Sequence, residues 1–155
     1  MAGIEELMVT QMITALPYET VSEAVKRMTA NKVGAILVVE QGQLSGLFSE
    51  RDLLTRVVQP RRDPRFLDIG SVATRDPITV DVGASVKTVL RVFRERKFRH
   101  LPVVQDGKPV GILSIRDFLD FLVDGLERHI EALTYEHDLS AGQDPYDHIG
   151  GAYGR

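Results

Sequence analysis

The chain contains no cysteine. That excludes disulfides, thiolate nucleophiles, zinc ribbons and cysteine-held iron–sulfur clusters, and it fits a reducing cytoplasm. No apolar run approaches the ~20 residues that a membrane-spanning helix needs. The opening MAGIEELMVT carries Glu5 and Glu6 where a secretory signal would carry basic residues, so it is not read as one. Excess positive charge is also lacking: the net charge is −3, and the chain as a whole is not built to bind nucleic acid. Sequence patterns for the common catalytic sites are missing as well. There is no GxSxG, no phosphate-binding GxxxxGK[ST] and no GxGxxG.

What is present is an ordinary globular composition, 43% hydrophobic and 26% charged over 155 residues. This is enough apolar material for one compact domain or two very small ones. The charge is uneven. Residues 1–65 are balanced, residues 66–123 hold 9 basic and 7 acidic groups, and residues 124–155 hold 2 and 7.

The chain repeats itself at an offset of 65 residues. Laid without a gap, residues 13–54 over 78–119 give twelve identical pairs out of 42, and most other pairs set apolar opposite apolar. Each copy reads as a short strand, an amphipathic helix, two strands and a last helix. Thr20, with Glu23 three residues on, forms a capping box for the helix carrying Val21, Ala24, Val25 and Met28. Ser85 caps the second copy, with Val86, Val89, Leu90 and Phe93 as its stripe. The strands Ala35–Val39 and Leu101–Val104 turn at Gly42 and Asp106-Gly107 into Leu44–Phe48 and Val110–Leu113. The last helices open at Ser49 and Ser114. The expected organisation is repeat 1 over 7–58, a linker over 59–68 with Pro60, Pro64 and three arginines, repeat 2 over 69–123, and an extension over 124–155. The fold class is α/β (α+β). About 45 residues per copy is too few for a separate core, so the copies must bury their surfaces against each other.

The doubled stretches Val38-Val39-Glu-Gln-Gly42…Gly46-Leu-Phe-Ser49-Glu-Arg51-Asp52 and Arg99-His-Leu-Pro-Val-Val104…Gly111-Ile-Leu-Ser114-Ile-Arg116-Asp117 resemble a pair of CBS domains, named after cystathionine β-synthase. The resemblance covers roughly residues 7–123, and it makes the chain look like a stand-alone CBS pair. It implies packing about a pseudo-twofold axis with two clefts. It implies an adenosyl ligand in a cleft: AMP, ADP, ATP, NAD or S-adenosylmethionine. It also implies a disk-shaped homodimer and a regulatory, non-catalytic role toward an unidentified downstream protein.

The candidate ligand residues follow from chemistry and resemblance together. Ser49 and Ser114 start helices, whose N–H groups and partial positive charge suit a phosphate. Asp52 and Asp117, one turn in, can accept from a ribose diol. Arg51 and Arg116 lie between them. Gly46 and Gly111 leave room for a base or a backbone to approach. The same Ser-x-x-Asp pattern is also close to a capping box that only satisfies backbone donors. The basic run Arg94–His100 complements a helix C-terminus. Beyond it, Arg99 and His100 enter a strand, and the resemblance places such a pair on nucleotide phosphates. Repeat 1 has Gly34-Ala35 there, preceded by Val33, and Leu37 in place of Pro102. Arg99 and Asp117, both in repeat 2, are expected to share one cleft. The other, less positive cleft is left with three possibilities: a ligand with less phosphate, weak binding, or none. Thr14 and Thr79 occupy equivalent places in the opening strands. No metal site and no catalytic group are expected. His129, Glu136, His137 and His148 lack the spacing of a compact site. Residues 116–134 read as one helix with Phe118, Leu119, Phe121, Leu122, Leu126, Ile130 and Leu133 apolar. The last 17 residues, with four glycines and little aliphatic material, are expected to be extended or mobile.

Overall fold

The computed structural model describes residues 3–142, so His148 and most of the tail lie outside it. The chain forms two compact units, residues 1–115 and 116–155.

The first unit holds both repeats' strands. In repeat 1, β1 (Thr14–Ala15) leads to α1 (Val21–Ala30), β2 (Ala35–Glu40) and β3 (Gln43–Ser49). The Thr20 capping box forms as expected, with Glu23 N–H donating to Thr20 Oγ1 and Thr20 N–H to Glu23. After β3, one helical turn, α2 (Glu50–Asp52), continues as a π-helix over Leu53–Val58. The sequence reads as a plain helix there. The extra residue of the π turn is visible only in three dimensions.

Repeat 2 opens with α3 (Ile69–Val72) and β4 (Thr74–Arg75). Neither was apparent from periodicity, because both are too short to show one. Next come β5 (Val80–Asp81), α4 (Val86–Arg96) with its Ser85 cap, β6 (His100–Gln105) and β7 (Lys108–Ser114). Both hairpins turn on two residues with positive φ, Gln41-Gly42 (51° and 77°) and Asp106-Gly107 (52° and 77°). This is the turn whose twist matches its strands, and it explains a glycine at the second position of each.

The sheets interlock. One sheet runs β1-β2-β3-β4, so the lead-in of repeat 2 completes the sheet of repeat 1 (Leu47 opposite Thr74, Gly46 opposite Arg75). The other runs β5-β6-β7, and Val9 of repeat 1 bridges Ile112 on β7 at the pseudo-equivalent place. The hydrophobic core of repeat 1 accordingly includes Ile69, Val72 and Ala73 beside Ile36, Val38, Phe48 and Val57. Ile4, the counterpart of Ile69 at the 65-residue offset, is also fully buried.

One asymmetry matters for the site. Leu37 N–H donates to Ile13 O, which holds Thr14 beside Leu37 in the parallel pair β1·β2. Pro102 occupies the place of Leu37 and has no N–H to donate. The β5·β6 pair therefore starts only at Val80 opposite Val103, and Thr79 lies just outside the strand rather than in it.

The second unit is described by α5 (Ile115–Ser140) from Arg116 onward, six residues longer than the sequence reading.

Candidate functional site

A cleft of about 470 Å³ lies within the first unit, lined by segments of both repeats. Repeat 1 contributes Gly34, Leu47 and the helical start Ser49–Asp52, followed by Thr55 and Arg56. Repeat 2 contributes Thr74, Asp76, Pro77, Ile78 and the run Lys97–His100.

The helical start is held by its own side chains. Asp52 is 8% exposed. Its Oδ2 accepts from Ser49 N–H at 2.9 Å and from Ser49 Oγ at 3.1 Å, and Ser49 Oγ accepts from Asp52 N–H at 3.4 Å. Oδ1 faces Arg56 Nε at 3.5 Å. Glu50 N–H donates to Gly34 O at 3.0 Å. The expectation of open helix N–H groups for a phosphate needs correction. Those of Glu50 and Asp52 are engaged. The Ser49 hydroxyl has spent its one proton on Asp52 and keeps accepting capacity only. Asp52 retains lone pairs on Oδ1.

The cations are Arg51, Arg56, Lys97 and Arg99, against the carboxylates of Glu50, Asp52 and Asp76. Arg56 is partly committed, pairing with Asp52 and donating to Val72 O and Ala73 O. Lys97 ends α4 in the left-handed conformation (φ 54°), with its N–H on Phe93 O. That backbone reversal aims Phe98, Arg99 and His100 along the cleft. Leu47, Pro77, Ile78 and Phe98 supply the apolar wall. The cleft thus combines a flat apolar surface, one buried carboxylate and an excess of cations, a set that suits a phosphorylated nucleoside.

The structure gathers six of the sequence candidates here: Gly34, Ser49, Arg51, Asp52, Arg99 and His100. It corrects one pairing. Arg99, expected to work with the aspartate of its own repeat, lines one cleft with Asp52 of repeat 1, because β6 of repeat 2 faces the helical start of repeat 1. Gly34 is more than a missing cation: a Cβ there would stand 3.4 Å from both His100 Cε1 and the Glu50 carboxylate, so its smallness keeps this end of the cleft open.

The other candidates lie elsewhere. Val33 packs against the core of repeat 1. Ala35 is buried in β2 opposite Ser49, and Pro102 is buried in β6 opposite Ile112. Thr14 lines a separate, shallower groove beside Glu19 and Arg27, where the guanidinium holds the Glu19 carboxyl below its ordinary range. Thr79 is one residue beyond the cleft's Ile78. Ser114 ends β7 opposite His100, and Arg116 and Asp117 belong to the second unit. Gly46 leaves room for the backbone of Thr74, and Gly111 for the side chain of Met8. A Cβ on Gly46 would come within 3.1 Å of Thr74 O, and one on Gly111 within 2.6 Å of Met8 Sδ. Each glycine admits the lead-in of the other repeat. The sequence reading missed Thr55, Arg56 and the segment Thr74–Ile78. The prolyl asymmetry at position 102 was their one visible sign.

Among the described residues no group of acidic and histidine side chains could hold a metal ion, and no helix is long and apolar enough to cross a membrane.

Comparison with known proteins agrees with this architecture. The CBS domain family matches twice, over residues 4–59 and 69–124. The CBS domain-containing protein YhcV of Bacillus subtilis is 31% identical over 117 residues, covering 76% of this chain and 83% of its own length. The CBS domain-containing protein CBSCBSPB2 of Arabidopsis thaliana is also 31% identical, but the chain spans only 24% of its length. Among solved structures, an uncharacterised conserved protein from Pyrococcus horikoshii is 30% identical with a TM-score of 0.71, covering 77% of this chain and 90% of that one. A CBS domain protein from Pyrobaculum aerophilum, solved in complex with AMP, is 29% identical with a TM-score of 0.69, covering 75% and 89%. With two interlocked repeats matched over most of its length, this chain belongs to the CBS domain family as a CBS domain pair.

Proposed function

We propose that the chain is a non-catalytic regulatory module that binds an adenine nucleotide in the cleft between Ser49–Arg56 and Lys97–His100. The observation that carries this is the union, in one 470 Å³ cleft, of a buried carboxylate, an apolar wall and four cationic side chains. The volume lies within the ~300–1,000 Å³ usual for small-molecule sites. The AMP-bound relative from Pyrobaculum aerophilum supports the ligand class.

In this reading the base lies against Leu47, Ile78 and Phe98. Asp52 Oδ1 accepts from the ribose, and Arg99 and Lys97 meet the phosphate. The ligand touches both repeats, so its affinity depends on their arrangement. It therefore shifts the populations of any two arrangements that differ across the cleft. The shift passes to a partner protein or between subunits of a dimer.

The test is calorimetric titration with AMP, ADP, ATP, NAD and S-adenosylmethionine. Arg99→Ala should weaken a phosphorylated ligand about ten- to a hundredfold, the ~1.5–3 kcal/mol of a hydrogen bond to a charged group. Thr14→Ala, in the separate groove beside Glu19 and Arg27, should leave this cleft's affinity unchanged. A bound nucleotide at a hundredfold its Kd should add about 2.7 kcal/mol to stability. No heat and no thermal shift with any of the five at millimolar concentration would sink the reading and leave a ligand-independent interaction module.

A further inference from the structure

Phe118, in the first turn of α5, is fully buried, but the exposed apolar residues along the helix form a narrow row. Leu119, Val123, Leu126, Ile130 and Leu133 follow one another at intervals of four, three, four and three residues. All five are about half exposed, between 51% and 60%. That spacing is a heptad seam, with leucine at the d positions 119, 126 and 133 and a β-branched residue at the a positions 123 and 130, bounded in the same register by Arg116 at one end and His137 and Ser140 at the other. Leucine at d with β-branched a residues is the combination that selects two parallel strands.

We infer that α5 pairs with α5 of a second copy of this chain as a parallel, in-register two-stranded coiled coil centred on Leu126. The charges flanking the seam favour that orientation. Parallel pairing sets each g residue against the e residue five positions on in the partner. This brings Leu122 to Glu127 and His129 to Thr134, with no like charges opposed. The antiparallel register that keeps all five residues in the seam sets Glu127 against Glu127 of the partner subunit, a repulsion at its centre. Gly125 and Glu131, at c and b, lie on the outer face. The seam spans about 21 Å along the helix. It forms an isologous contact on a twofold axis, and it begins inside the matched CBS region and runs beyond its end at residue 124.

The absence of native cysteine makes the test clean. Leu133→Cys in the full chain, under mild oxidation, should give a disulfide-linked dimer at least tenfold more abundant than Glu131→Cys does. Parallel pairing sets the two copies of position 133 in one layer, whereas the antiparallel register puts position 133 opposite position 123, about 15 Å along the helix from its own copy. That is beyond the ~7 Å Cα separation a disulfide tolerates. Adding Leu126→Asp should abolish the cross-link. Equal cross-linking at positions 131 and 133, none at 133, or a cross-link that survives Leu126→Asp would each overturn the parallel seam. Position 133 is outside the nucleotide cleft, so failure here and failure of ligand binding are separate results.

Discussion

At the scale of single residues, Asp52 joins stability to binding. Its carboxylate closes the capping box with Ser49 and faces Arg56, so a ribose must share a group the fold already uses. Asp52→Ala should cost about 1–2 kcal/mol from the lost cap alone, measured by urea denaturation without ligand, and should weaken a nucleotide as well. Serine at 52, which keeps a short acceptor, should recover part of the stability but not the affinity. Glycines sort by what stands where a side chain would be. At Gly70 an added Cβ would lie 2.8 Å from both Cβ and O of Pro17, and Gly70 N–H already donates to Pro17 O at 2.8 Å. Gly70→Ala must push backbone apart and should destabilise by about 1–3 kcal/mol. Gly111→Ala meets chiefly the flexible Met8 side chain and should cost less in the same denaturation assay.

At the scale of elements, the two repeats differ most where one residue changes the hydrogen bonding. Pro102 ends the β5·β6 pair early, and the released segment Asp76–Ile78 becomes cleft wall. The π-helix after Asp52 keeps Thr55 and Arg56 on the cleft, while Val57 remains in the core. In α5, Gly125 sits in mid-helix with nothing within 4 Å of an added Cβ. Gly125→Ala should therefore raise stability or helix content by up to ~1 kcal/mol, because glycine loses most backbone entropy in a helix. Far-UV circular dichroism with thermal denaturation reads it, and a loss of stability would show that the position is occupied.

At the scale of the molecule, the exchanged lead-ins bind the repeats into one cooperative unit. Repeat 1 has Ile69, Val72 and Ala73 in its core, and β7 of repeat 2 is bridged by Val9. A fragment ending at residue 59 lacks three core residues and one edge strand and should be unfolded by circular dichroism. In the full chain, fluorescence or NMR probes in the two repeats should lose structure in one coincident urea transition. Two separated transitions would mean that the exchange contributes little.

The amino-acid sequence by itself determined the repeat, the order of its elements, both helix caps and the hairpin turns. These depend on contacts between near neighbours: a hydroxyl and the N–H three residues on, a glycine at a positive φ, an apolar face every third or fourth residue. It also held the heptad seam of α5 in its spacing. It did not determine which repeat's arginine meets which repeat's aspartate, nor that Gly46 admits the backbone of Thr74 and Gly111 the side chain of Met8. Those pairings join residues some 30 to 100 positions apart, and no local pattern encodes how two nearly equal sheets will interlock. Tertiary structure decided them, because the sheet of repeat 1 takes its last strand from the lead-in of repeat 2, and the lead-in of repeat 1 bridges β7 through Val9.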